Sequence, residues 1–287
     1  PTFNNLEYLD LCIKSLEKNS YFKNEILLHI NEGSDGTIDY AKNKKLVYTY
    51  SKINDGLCIG CNKVAKKSSY DLILYSHDDM YFLPDWDVKL INEVKLLNTK
   101  KFYLSSIMIN GDSKLHGHLN LNAGDTVKNF DENYLLKNYK NLYHDDFQGS
   151  TWAPHLIHKD TWNKVGGFSE EFSPGMGSDP DLNMKLWKYG VRIFKCLGQS
   201  KVYHFGSVTI HKNKKKAFKK NLGSLANKIF LLKWGVSIRF FKKHYLRSHY
   251  LHNEVLSDPK KNFFYYFELI KDRISLIYYK VFSSIKL

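Results

Sequence analysis

The stretch YSHDDMYFLPDWD, Tyr75 to Asp87, sets Asp78 and Asp79 side by side after a short apolar run and ahead of Pro84. Neighbouring carboxylates raise each other's pKa, so such a pair is costly unless a cation or a substrate dipole completes it. The pair therefore asks for a metal. A second reading makes it the N-cap of a helix expected over Pro84–Leu97, where acids offset the helix dipole. Cys58 and Cys61 form a C-x-x-C, but no second pair of ligands follows at a matching spacing, so both read as ordinary helix cysteines. His204, in VYHFG, is a lone histidine in an aromatic setting, a pattern that suits a core residue as well as a ligand.

The elements that must position these groups follow from periodicity. Apolar residues at Leu6, Leu9, Ile13 and Leu16 repeat at a helical period, with Asn4 or Asn5 able to cap it. EILLHI (Glu25–Ile30) reads as a strand buried on both faces, followed by the turn-rich NEGSDGT. KLVYTYS and YDLILYS are two further strands, separated by the helical GLCIGCNKVAKKS. DWDVKLINEVKLL is an amphipathic helix and KFYLSSIMIN another strand. Asn110 to Tyr143 is polar and weakly periodic, a variable excursion. Strands alternating with helices imply a largely parallel α/β sheet whose ligands gather at the carboxyl ends of its strands. NEGSDGT and HDDM both lie at such ends.

Composition bounds the class. A chain of 287 residues, 43% apolar and 15% aromatic, can bury a large core. Four scattered cysteines fit a reducing cytoplasm. No run of about 18 uncharged apolar residues is present, which argues against a spanning helix. The chain opens on Pro1 with neither an initiator Met nor an apolar strand before it, which suggests a missing beginning. The net charge of +14 is wholly C-terminal: residues 211–287 carry 18 Lys and Arg against 4 Asp and Glu, and residues 1–210 carry 25 of each. Between His211 and Asn253 basic residues interleave with Phe230, Trp234, Phe240 and Phe241 and no acid intervenes. That suits peripheral contact with an anionic membrane through 212–247, or equally a helical face packed on the main domain with solvated lysines. Nucleic acid fits less well, since the near-neutral remainder offers no basic groove.

The order PTFNN, the N-E-G-S-D-G-T turn, Asn62 in a helix, an Asp pair followed by P-D-W, K-V-G-G-F-S-E-E-F and S-D-P-D-L resembles the inverting glycosyltransferases of family 2. The resemblance covers about residues 1–210, and Lys233-Trp234-Gly235 is similar to the C-terminal region of bacterial members. It implies a GT-A fold, with a nucleotide-sugar-binding half over 1–105, an acceptor-binding half over 106–211 and a basic helical region over 212–287. It implies further that Pro1, Thr2, Asn31, Glu32, Asn62 and Asp78 hold the nucleotide and that Asp78, Asp79 and His204 hold Mn²⁺ or Mg²⁺. Asp179 corresponds to the base, and Trp152 and Asp181 to acceptor contacts. Ser178 stands where the family's motif has Glu, and Asn31-Glu32 where its turn has Asp.

The function expected from these residues is metal-dependent inverting transfer from a nucleotide-diphosphate sugar to a hydroxyl of a glycan or lipid-linked acceptor. The enzyme would work in the cytoplasm, at the inner face of the plasma membrane. The competing readings are a nucleotidyltransferase on a similar fold and a non-catalytic membrane- or nucleic-acid-binding protein. Asp179 could also serve only as a cap of its helix, with Pro180 in the first turn.

Overall fold

The structure is a computed structural model that describes residues 1–112, 117–206 and 216–282, with the side chains of 216–221 left aside. The composition boundary expected near Lys212 lies outside the described residues. The N-terminal part alternates strand and helix: β1 (Thr2–Phe3), α1 (Leu6–Asn19), β2 (Leu27–Asn31), α2 (Thr37–Asn43), β3 (Val47–Ser51) and α3 (Gly56–Ala65). Its three strands form a parallel sheet in the order β1-β2-β3, with Thr2 opposite Ile30 and Leu27 opposite Val47. Parallel pairing needs crossovers, and α1 and α2 supply them.

A larger mixed sheet follows. It holds β4 (Leu72–Tyr75), β5 (Met80–Phe82), β6 (Phe102–Asn110), β7 (Leu119–Asn120), β8 (Phe147–Gln148), β9 (His155–His158) and β10 (Ile193–His204). The main order is β4-β9-β6-β10-β5, with β7 beside β6 and β8 beside β10. Residues Phe102 to Ile109 of β6 are all buried, as the continuous FYLSSIMI run requires of a central strand. Its two hydroxyls do not go unpaired: Ser105 bonds Ser150, and Ser106 bonds Ser200 at 2.6 Å.

The expectation of parallel pairing holds for β1-β2-β3, β6-β7 and β6-β10, whereas β4, β5, β8 and β9 pair antiparallel with their neighbours. The reason for the exception at β5 is the short link Ser76–Asp79, too short for a crossover, which turns the chain over between β4 and β5. This link carries the Asp pair. Since β5 and Leu83–Asp85 intervene before α4 (Trp86–Leu97), neither Asp78 nor Asp79 caps that helix. The cap reading is set aside.

The remaining helices are α5 (Glu132–Asn138), α6 (Lys159–Val165), α7 (Ser178–Tyr189), α8 (Lys216–Trp234) and α9 (Phe263–Phe282). Two short helical turns, Ile238–Phe240 and Phe241–Tyr245, lie between α8 and α9. Ala226, Ile229, Phe230, Phe240, Phe241 and Leu246 are buried in the same core cluster as Trp86, Phe168 and Phe194. Most of the described apolar residues of this region pack on the main domain, whereas Leu225 stays exposed. The main core buries Tyr75, Phe82, Phe102, Trp162, Leu186 and Trp187 between the mixed sheet and its helices. An apolar slot of about 540 Å³ lies between β2 and β4, walled by Leu9, Ile13 and Leu16 of α1 and closed at one end by Pro1, His77 and Asp78. Among the described residues, no helix is long and apolar enough to cross a membrane.

Candidate active site

The β4–β5 link delivers His77, Asp78 and Asp79 to one end of the mixed sheet, and pairing of β5 with β10 brings His204 to the same place. His204 is the last residue of β10 and stands opposite Met80, immediately after Asp79. The Phe205 amide donates to the Asp79 carbonyl at 3.1 Å, which fixes this register. The His204 Nε2 lies 3.4 Å and the His77 Nδ1 3.9 Å from the same Asp79 Oδ1. One ligand atom from each of His77, Asp79 and His204 falls within 4.8 Å of the others, close enough for all three to face one ion.

The chemistry of this set suits a divalent cation. One carboxylate oxygen and two imidazoles form a mixed O/N set that favours Mn²⁺ over Mg²⁺. Burial, aided by His204, pulls the His77 pKa down to about 4, so its ring is neutral and able to ligate near pH 7. His204 is held from behind: the Asn110 amide donates to its carbonyl at 3.0 Å and sits 3.5 Å from its Nδ1. The His118 Nδ1 lies 3.1 Å from Asn110 Oδ1, and the His118 ring meets Trp152 edge-on at 5.1 Å. A continuous contact chain thus runs from the cluster to Trp152.

Asp78 lies outside this group of three, and its Oδ2 is buried without a hydrogen-bond partner. Burial and the neighbouring Asp79 push its pKa up to about 6, while Thr2 and Asn5 beside it favour its charged form. The member that sequence reading missed is His77. Its only signal was its place beside the Asp pair at the end of β4.

Asp179 enters from a different direction, as the second residue of α7. Its Oδ1 is buried without a hydrogen-bond partner. Burial raises its pKa to about 6, and the Lys242 ammonium opposes the rise. Such a carboxyl can take a proton near neutral pH. Tyr75 senses both acidic centres: its ring packs against His77 at 5.5 Å, and both Asp179 and Asp79 help burial hold its phenol protonated. Lys242 comes from the C-terminal helical turns, and no motif announced it.

Asp181 is the opposite case. It has no exposed surface, and its Oδ1 accepts from Trp234 Nε1 at 2.8 Å and meets Lys233 Nζ at 2.9 Å. The Lys-Trp-Gly motif therefore ties Asp181 to α8 through Oδ1, while its Oδ2 is buried without a hydrogen-bond partner. Asn62 is likewise committed, its amide donating to the Phe168 carbonyl at 2.8 Å and its Oδ1 accepting from the Phe168 amide at 2.9 Å. It braces the Gly166-Gly167 turn, where a side chain on Gly167 would clash with that Oδ1.

Pro1, Thr2, Asn31 and Glu32 gather at the β1 and β2 ends. Asn31 is buried, its Oδ1 taken by the Asp55 amide at 2.9 Å. Glu32 is exposed at φ 62, with Ser34 donating to it at 3.1 Å, and so offers the accessible carboxylate. Trp152 is half-buried, its indole nitrogen donating to the Ser106 carbonyl at 3.3 Å.

The fold has solved counterparts. S. aureus TarS 1-349 superposes with a TM-score of 0.52 at 12% identity, covering 80% of this chain and 70% of that one. The same fragment in complex with UDP-GlcNAc gives 0.51 at 15% identity, covering 72% and 59%. A longer TarS structure gives 0.50 at 14% identity over 71% of this chain but 35% of its own, so this chain spans about a third of it. At such identities the likeness speaks for the fold alone. No curated protein sequence matches the chain. The Glycosyl transferase family 2 model matches residues 1–158, more than half of the 287. The chain therefore belongs to glycosyl transferase family 2 and has the GT-A fold.

Proposed function

We propose that this enzyme is a metal-dependent inverting glycosyltransferase that moves a sugar from a nucleotide-diphosphate sugar to a hydroxyl of a glycan or lipid-linked acceptor. The observation that carries the reading is the His77–Asp79–His204 cluster together with a buried Asp179 oxygen without a hydrogen-bond partner, both felt by the same Tyr75. A divalent ion held by His77, Asp79 and His204 would neutralise the charge that develops on a departing diphosphate. Asp179 then takes the proton of the acceptor hydroxyl, for which its raised pKa suits it. Glu32, Pro1 and Thr2 line the donor end, and Trp152 presents an aromatic face to the acceptor sugar. The binding of UDP-GlcNAc by the TarS fragment supports a uridine nucleotide as the first donor class to try.

The test is thermal stabilisation by UDP, GDP and dTDP with and without Mn²⁺. A nucleotide that raises Tm only in the presence of Mn²⁺, with the effect lost in Asp79→Asn, is the expected result. Equal stabilisation without the ion, or an unaltered Asp79→Asn response, overturns the metal assignment.

A further inference from the structure

The C-terminal helix α9 is apolar on two sides. Tyr265, Leu269 and Leu276 turn inward, where Tyr265 packs on Phe240 at 5.0 Å and Leu276 is buried. The other side is a stripe of large side chains left in solvent: Phe263 at 76%, Phe267 at 47%, Ile270 at 58%, Ile274 at 63%, Ile277 at 63% and Val281 at 65% exposure. These positions recur in steps of four and three, so they form one straight seam along a helix of 20 residues, about 30 Å at 1.5 Å per residue. An exposed seam of this length is not the ordinary scatter of surface apolar groups and marks a docking surface.

Charge selects the occupant. Both acids of α9 are engaged inward: Glu268 takes Lys243 and His244, each at 2.6 Å, and Asp272 accepts from the Ser237 amide at 2.6 Å. The exposed charged residues flanking the seam are Lys271, Arg273 and Lys280, with Phe264, Tyr266 and Tyr278 exposed beside them. A second copy packed seam to seam would set these cations against one another along both flanks, which disfavours self-pairing. An anionic lipid surface is complementary to them, and aromatic residues such as Phe263 and Phe267 suit the headgroup level. The whole excess charge of +14 also lies in residues 211–287.

We propose that the outer face of α9 lies in the plane of an anionic bilayer, with the Phe263–Val281 seam in the acyl boundary and Lys271, Arg273 and Lys280 on the headgroups. The helix lies on the membrane and does not span it, in keeping with its charged residues. This moves the membrane contact from 212–247 to α9 and does not depend on the transfer chemistry.

The test is co-sedimentation of the full chain with vesicles of phosphatidylcholine alone or mixed with phosphatidylglycerol, without nucleotide or metal. The expected result is partition onto the mixed vesicles that weakens with salt, falls roughly tenfold in I270S/I274S/I277S, and is unchanged in Asp179→Asn. Failure of the wild type to partition, or undiminished partition of the triple variant, overturns the proposal. So does a concentration-dependent dimer in ultracentrifugation that the triple variant abolishes. Should the triple variant lose its fold, Ile274→Cys carrying a polarity-sensitive dye replaces it, the four native cysteines being buried. A blue shift on mixed vesicles is expected, and an unchanged spectrum overturns the proposal.

Discussion

The molecule presents two pairs of aspartates, Asp78 with Asp79 on the β4–β5 link and Asp179 with Asp181 at the start of α7, and each pair is divided in the same way. The two carboxylates of each pair meet different neighbours. Asp79 meets His77 and His204, whereas Asp78 lies against Thr2 and Asn5 with its Oδ2 unpaired. Asp179 keeps Oδ1 unpaired near Lys242, whereas Asp181 gives Oδ1 to Lys233 and Trp234 and keeps Oδ2 unpaired. The difference teaches that proximity in sequence says little about shared function. Neighbouring residues on a turn or in a first helical turn point apart, and their surroundings then assign them opposite tasks.

The largest expected effect falls on Asp179. Asp179→Asn should lower kcat by about a thousandfold, within the range of general-base contributions, with donor binding retained. Wild-type turnover should also fall as pH drops through about 6, because the carboxyl raised to that value must be ionised to accept a proton. Steady-state kinetics against pH check both, and a full-rate Asp179→Asn would place the base elsewhere.

Within the same pair, Asp181→Ala should act on stability. Removing a fully buried carboxylate that meets Lys233 and Trp234 leaves an ammonium without its nearest buried partner and should cost about 3 kcal/mol. Denaturant unfolding measures it, and transfer by the remaining folded fraction should continue. If Asp181→Ala instead kept its stability and lost acceptor affinity, the comparison would break.

At the proposed metal end, Asn110→Ala removes the amide that holds His204 from behind and should weaken Mn²⁺ binding by roughly 10- to 100-fold. Calorimetric titration of Mn²⁺ decides it, with an unchanged affinity excluding that role.

The smallest effect is expected at Asp78. Its folded pKa is raised from 3.8 to about 6, so the unfolded chain gives up the proton more readily and stability falls as pH climbs through that window. Asp78→Asn should therefore not lower Tm at neutral pH and should flatten the Tm profile between those values. A weakened Mn²⁺ affinity in this variant would return Asp78 to the ligand set.

Much of the fold was readable from periodicity. The apolar runs at Leu27–Asn31, Leu72–Tyr75 and Phe102–Asn110 are strands, and the spacing of Leu6, Leu9, Ile13 and Leu16 is a helix, since local pattern controls both. The antiparallel members of the mixed sheet were not readable, because pairing direction depends on which strand accepts the edge. Short strands such as Phe147–Gln148 and His155–His158 carry too few residues to show an alternation.

The sequence alone determined the types of group available for chemistry and where the charge lies: an acidic pair after a strand, a second acidic pair opening a helix, a basic C-terminal region. Those are properties of residues and their near neighbours. Only the tertiary structure decided that His77 joins Asp79 and His204, that Asp181 meets Lys233 and Trp234, that Asn62 holds Phe168, and that Lys242 comes near Asp179. It also turned most of the described apolar residues of α8 inward and left the α9 seam outside. Each of these depends on contacts between residues remote in the chain, through strand register and helix packing, and no local spacing encodes which partner arrives.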